Sequence, residues 1–189
     1  MIVEFNKEII AAAEIISRGG VIAYPTEAVY GLGCDPFNPE AIARLLHIKN
    51  RSADKGLILI AAEWKQVEYL IKPINPKLLA RILATWPGPT TWIFPADEQV
   101  VPSWVRGKNT SIAIRVIDHP EASALCHAFN GPIISTSANL EGFPPIRDRR
   151  TLEMTFAENI DFILPGSVGN RINPSEIRDA ISGEIIRPG

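Results

Sequence analysis

At 189 residues, 46% of them hydrophobic and 21% charged, the chain is long enough to bury one sizeable core and too short for two full-sized domains, so residues 1–189 read as a single domain. Its net charge of -2 at neutral pH argues against a protein that coats nucleic acid through bulk positive charge. The two cysteines, Cys34 and Cys126, lie far apart and outside any CxxC or Cys/His spacing, which leaves a disulfide framework and a metal site without support.

Asn6 is placed to cap a helix whose apolar positions Ile9, Ala13 and Ile16 recur at helical spacing, and Gly19-Gly20 stops it. Val21 to Tyr24 reads as a strand, followed by a loop from Pro25 to Phe37. Asn38-Pro39 opens a second helix with Ile42, Leu45 and Leu46 on its apolar face. Carrying that face forward by helical steps reaches Lys49 at the helix end. A lysine there either lays its stem on apolar surface with the ammonium in water, or aims a cation into a cleft.

Gly56 to Ala61 is an apolar run of strand length. Asn75-Pro76 caps a helix carrying Leu79, Ile82, Leu83 and Trp86, ended by Pro87-Gly88-Pro89, and Thr90 to Phe94 is the next strand. From Ser111 to Val116 the alternation is clean, with Ile112, Ile114 and Val116 on one face and Ser111, Ala113 and Arg115 on the other. An arginine among small residues on a strand face needs an anion, and either a structural salt bridge or a ligand supplies one. A helix from about Pro120 to Phe129, a strand at Ile133-Ile134, a helix near Thr151 to Ala157, and short strands at Phe162–Leu164 and Glu184–Arg187 complete the order. Such interleaving predicts an α/β fold: one twisted mixed β-sheet flanked by helices. The longest apolar run, Leu57 to Ala62, is too short to span a membrane, and the N-terminus shows no secretory pattern, so a cytoplasmic protein with reduced thiols is expected.

The Ile133-Ile134 strand runs into Ser135-Thr136-Ser137-Ala138-Asn139, which is either a surface turn or a row of hydroxyl and amide donors at a ligand site. GxGxxG, GxxxxGK[ST], HExxH and GxSxG are all absent, and His47, His119 and His127 share no ligand spacing. What remains is cations and small polar residues at element ends: Thr26, Lys49, Arg51, Lys55, Arg115, the STSAN segment, Ser175 and Arg178 in a loop, and Arg187. These are the parts of a phosphate site, where guanidinium forks and ammonium charges neutralise phosphoryl oxygens and hydroxyls orient them. Without a carboxylate pair or a Ser-His-Asp set, catalysis by positioning and electrostatics fits better than covalent catalysis. Arg147, Arg149 and Arg150 form a separate basic group that reads as a solvated face.

Seven stretches, in order, carry a family likeness: Tyr24-Pro-Thr-Glu-Ala-Val-Tyr-Gly-Leu-Gly33, Lys49-Asn-Arg51 with Asp54 to Ile60, Pro87-Gly-Pro-Thr90, Ala113 to Val116, Ser135 to Asn139, Asn173 to Asp179, and Ile186-Arg-Pro-Gly189. Over essentially its whole length the chain resembles the YrdC/TsaC family. The resemblance implies a twisted sheet around a large basic cavity. It also implies threonylcarbamoyl-AMP synthesis from L-threonine, bicarbonate and ATP with Mg²⁺, for N6-threonylcarbamoyladenosine at position 37 of ANN-decoding tRNAs. By the same resemblance Thr26, Arg115, Ser135 and Ser175 are candidates for threonine, and Lys49, Arg51, Lys55, Ser137, Asn139 and Arg187 for ATP, with Lys49 and Arg51 stabilising charge during the reaction. The short form lacks the extra domain of longer relatives, and it should pass its labile product to proteins of the TsaB, TsaD and TsaE type. Many relatives carry Pro after the K-x-R arginine where this chain has Ser52, which is expected to affect the order of that loop. Two other readings stand beside this one. A non-catalytic module for double-stranded or ribosomal RNA is disfavoured by net charge and by the absence of RNP aromatics. The carbamoyl-adenylating domain of hydrogenase-maturation proteins occurs within far longer chains.

Overall fold

The computed structural model describes residues 6–189. Helix α1 (Lys7–Ser17) begins where the Asn6 side chain accepts the Ile9 amide, as the capping pattern predicts. Strands β1 (Ile22–Pro25) and β2 (Tyr30–Gly33) follow, then α2 (Pro39–Lys49), β3 (Ile58–Ala61) and α3 (Pro76–Leu83). Next come β4 (Thr90–Pro95), a single turn α4 (Ser103–Arg106), β5 (Ser111–Val116) and α5 (Pro120–Phe129). Strand β6 (Ile133–Ser137), α6 (Arg149–Phe156), β7 (Phe162–Ile163), β8 (Glu176–Asp179) and β9 (Ile185–Arg187) complete the chain.

Nine strands form one mixed sheet in the order β7-β1-β2-β6-β3-β5-β4-β8-β9. Alternation along the strands gives the sheet two apolar faces. On one face Ala23, Leu32, Leu59, Phe94, Ile114 and Ile134 pack against Ile42 and Leu45 of α2, Val105 of α4 and Phe156 of α6. On the other, Ile22, Tyr24, Ile60 and Ile133 pack against α1 and α5 through Ile16, Leu125 and Cys126. These two helices cover only one end of that second face, and its other end is walled by small and polar residues.

Four expectations are corrected. The stretch Pro25 to Phe37 is not one loop, because Tyr30 to Gly33 pairs antiparallel with β1. Its glycines hid the strand, yet they are what the packing requires: a Cβ at Gly33 would sit 2.3 Å from the Ile134 carbonyl oxygen and 2.9 Å from the Tyr24 ring. Strand β6 does not stop at Ile134 but carries Ser135, Thr136 and Ser137 into the sheet, paired with β2 and β3. The helix opened by Asn75 ends at Leu83, leaving Trp86 beyond it, where its indole N–H donates to the Thr90 carbonyl. Arg178 lies in β8, paired parallel with β4, rather than in a loop.

Candidate functional site

The uncovered end of the second face is a cavity of about 450 Å³, within the range of small-molecule sites. Cross-strand register builds its wall. Gly31 lies opposite Ser137, and Ser135, Ile58, Ala113 and Ile93 form a row across β6, β3, β5 and β4. Thr91, Ile177 and Arg187 continue the same face toward the far edge of the sheet. The odd-numbered face of β5 therefore presents Ser111, Ala113 and Arg115 to the cavity, as their alternation predicts.

Of the threonine candidates, Thr26, Arg115, Ser135 and Ser175 all line the cavity, and of the ATP candidates Arg51, Ser137 and Arg187 do. Three guanidinium groups thus share one chamber whose wall, among the described residues, holds no Asp or Glu. The Arg51 side chain donates to the Gly56 carbonyl at 3.0 Å while its Nε is buried without a partner, and burial lowers its pKa from the usual value. Arg187 donates to the Ser175 carbonyl at 2.7 Å, and the Ser175 hydroxyl meets the buried Thr91 hydroxyl at 2.9 Å. Ser135 is backed by the fully buried Tyr24, whose hydroxyl donates to the Ile134 carbonyl at 3.3 Å and whose pKa is raised, chiefly by burial. Thr26 is fixed by donation from its hydroxyl to the Val29 carbonyl at 2.7 Å.

Lys49, Lys55 and Asn139 do not line the cavity. Helix α2 ends at Asn50 in the left-handed conformation, with the Arg51 amide donating back to the Leu46 carbonyl, and this reversal separates the tasks of Lys49 and Arg51. Lys49 is 4% exposed, and its ammonium donates to the Ser137 carbonyl at 2.5 Å, the Asn139 carbonyl at 2.8 Å and Asn139 Oδ1 at 3.3 Å. Burial, and then the neighbouring Arg51 charge, lower its pKa from 10.5 to about 8. Asn139 is held further by the Ser137 hydroxyl, which donates to its Oδ1 at 2.6 Å, and its own amide donates to the Leu140 and Phe143 carbonyls. The STSAN segment is therefore a hydrogen-bonded unit pinned from behind by Lys49. Exposed Lys55 pairs with Glu141 at 2.9 Å. Arg147, Arg149 and Arg150 are exposed, as their reading as a solvated face requires.

Sequence reasoning missed Glu27, whose carboxylate stands 3.5 Å from Arg115 Nη2, and also Thr91 and Asn109. Thr91 lies within a predicted strand, but only the β4–β8 pairing reveals that it meets Ser175. Among the described residues no group of three His, Cys, Asp or Glu could hold a metal ion, and the cavity wall offers hydroxyls and guanidiniums rather than carboxylates. That donor set does not fit a resident Mg²⁺. Among the same residues no helix is long and apolar enough to cross a membrane.

Comparison with known proteins shows the fold and the family. The family model Sua5/YciO/YrdC, described as "Telomere recombination", matches residues 14–189. A threonylcarbamoyl-AMP synthase of Coxiella burnetii is 58% identical over 184 residues, covering 97% of this chain and 98% of that one. One from Pseudomonas aeruginosa is 50% identical, covering 94% and 95%. Among solved structures, P. abyssi Sua5 complexed with L-threonine superposes with a TM-score of 0.84 at 34% identity, over 93% of this chain and 52% of that longer one. E. coli YciO gives a TM-score of 0.80 at 25% identity, over 97% and 91%. With the match running through nearly every strand that walls the cavity, the chain belongs to the Sua5/YciO/YrdC family.

Proposed function

We propose that this protein is a threonylcarbamoyl-AMP synthase, an ATP-using adenylyl-transfer enzyme that converts L-threonine, bicarbonate and ATP into threonylcarbamoyl-AMP and diphosphate. The observation that carries the reading is end-to-end identity of 58% and 50% to enzymes of that name. In this reading the threonine amine and bicarbonate condense to a carbamate with loss of water. A carbamate oxygen then attacks the α-phosphorus of ATP, and the bond to the leaving diphosphate breaks. Both reactants are anionic, so the step needs fixed positive charge in a chamber with little water.

Three arginines around one cavity suit that need. Arg115, on the strand face beside Thr26 and Ser135, receives the amino-acid carboxylate, and Ser175 completes the subsite. Arg51, Ser137 and Arg187 face the nucleotide, as forked donors matched to phosphoryl oxygens. Lys49 serves by holding Ser137 and Asn139 in place, with its charge close behind the phosphates, and Lys55 lies at the rim. Mg²⁺ enters on the nucleotide phosphates rather than in a protein cage. The product is a mixed anhydride that hydrolyses readily, so a cytoplasmic transfer system of the TsaB/TsaD/TsaE type consumes it to form N6-threonylcarbamoyladenosine at position 37 of tRNA.

The test is diphosphate release by the purified protein with ATP, Mg²⁺ and bicarbonate, with and without L-threonine, and with serine as a control. Release that requires both threonine and bicarbonate supports the synthase. No release from folded, ATP-binding protein refutes it and leaves the exposed Arg147, Arg149 and Arg150 as the starting point for an RNA-binding reading.

A further inference from the structure

We infer that Glu27 is a positioning residue for amino-acid recognition, holding the Arg115 guanidinium so that its free edge faces the cavity; the inference rests on the reading above that Arg115 receives the substrate carboxylate. Both side chains are nearly buried, Arg115 at 10% and Glu27 at 13% exposure, yet only Arg115 reaches the cavity wall. Their closest approach, 3.5 Å between Arg115 Nη2 and Glu27 Oε2, is an ion pair without a good hydrogen bond. Among the described residues, Arg115 Nε and Glu27 Oε2 are each buried with no hydrogen-bond partner.

A purely structural arginine–carboxylate pair closes to a fork of two short bonds, because leaving a buried charged group's donors unspent is costly. Here the pair is held open. Glu27 Oε1 accepts the Asp118 amide at 3.1 Å, which anchors a carboxylate that is not itself part of the cavity wall. The arginine keeps an unused donor for an incoming carboxylate while its charge stays compensated in the empty site.

Glu27 also joins the other threonine candidates through its backbone. Its carbonyl accepts the Arg171 amide at 3.0 Å, and the neighbouring Thr26 carbonyl accepts the Gly169 amide at 2.9 Å. A Cβ at Gly169 would lie 2.6 Å from the Glu27 carbonyl oxygen, so the segment leading to Ser175 crosses this turn in direct contact. One residue thereby ties Thr26, Arg115 and the approach to Ser175 into a single unit.

The experiment is steady-state diphosphate release by wild type, Glu27→Gln and Glu27→Asp, with threonine and ATP varied in turn. The glutamine keeps an acceptor for the Asp118 amide and removes the charge facing Arg115. Its expected effect is a rise in KM for threonine of about tenfold, the scale of one charged hydrogen bond, with kcat and KM for ATP unchanged and a lower thermal midpoint because Arg115 loses its counter-charge. Glu27→Asp, which retains the charge, stays within about threefold of wild type. An unchanged or lowered threonine KM in Glu27→Gln overturns the inference, as does an equal rise in the KM for ATP or an equal effect of both substitutions. Absence of threonine-dependent release by the wild type is a different failure, and it removes the synthase reading itself.

Discussion

Replacing Lys49 by methionine changes the pH dependence of stability in a way that can be worked out from the structure. The ammonium is buried beside Arg51, and its pKa falls from 10.5 to about 8. Between those two pH values the unfolded chain binds a proton at this site that the folded chain does not, so the unfolding free energy rises with pH. The unfavourable contribution of the charged lysine is fully present below pH 8 and is relieved as pH climbs to 10.5; at about 1.4 kcal/mol per pH unit it amounts to about 3 kcal/mol. Methionine keeps the apolar stem and removes the titration. The difference in unfolding free energy, wild type minus Lys49→Met, should rise by about 2 kcal/mol between pH 7.5 and 9.5. Urea unfolding followed by tryptophan fluorescence at both pH values measures it, and subtracting the variant cancels every other titrating group. At neutral pH the variant also loses the three hydrogen bonds to Ser137 and Asn139, worth about 1.5–3 kcal/mol each, which outweighs the relief from desolvation. Its stability at pH 7.5 should thus fall below that of wild type by about 1.5–6 kcal/mol, and its turnover drops by about tenfold or more as the STSAN segment loosens. A stability difference that is flat or falls across this pH range would refute the argument that the ammonium is buried and desolvated.

Other expectations follow from the same contacts. Arg115→Ala should abolish threonine-dependent turnover with ATP binding retained, and should cost about 3–5 kcal/mol by leaving Glu27 buried and unpaired. Adding Glu27→Gln to Arg115→Ala should recover much of that stability in urea unfolding but none of the turnover. Gly33→Ala drives a methyl group against the Ile134 carbonyl and the Tyr24 ring, so a loss of about 1–3 kcal/mol and a lower thermal midpoint by calorimetry are expected. Asn6→Ala removes the cap on the Ile9 amide, and a loss of about 1 kcal/mol with unchanged kinetics is expected.

Much of this could be read in the sequence where one physical rule dominates. Asn-Pro caps placed α2 and α3, alternation placed Arg115 on the correct face of β5, and helical periodicity turned Lys49 inward. Hidden elements were those in which a tertiary demand replaced the usual signal. Tyr30 to Gly33 carries two glycines because the Tyr24 ring lies where their side chains would be. Ser135 to Ser137 lacks apolar residues on one face because that face is a cavity wall, so a strand looked like a turn. Strand β8, Glu-Ile-Arg-Asp, is half-buried and polar, and only its pairing with β4 defines it. The partners of Lys49 are backbone carbonyls far along the chain, which no local pattern can announce.

The strand order has a consequence for how the protein matures. Walls of the cavity come from the turn after β1 and from β2, β6, β3, β5, β4, β8 and β9, so groups as distant in sequence as Thr26 and Arg187 meet in it. A fragment that lacks any of these strands lacks part of the chamber's wall, and long-range strand pairings of this kind are slow to form. A nucleotide or amino acid bound there reports on completion of the whole sheet, and it stabilises every strand together rather than a local region. Substrate supply is then expected to slow both unfolding and proteolysis of the finished fold.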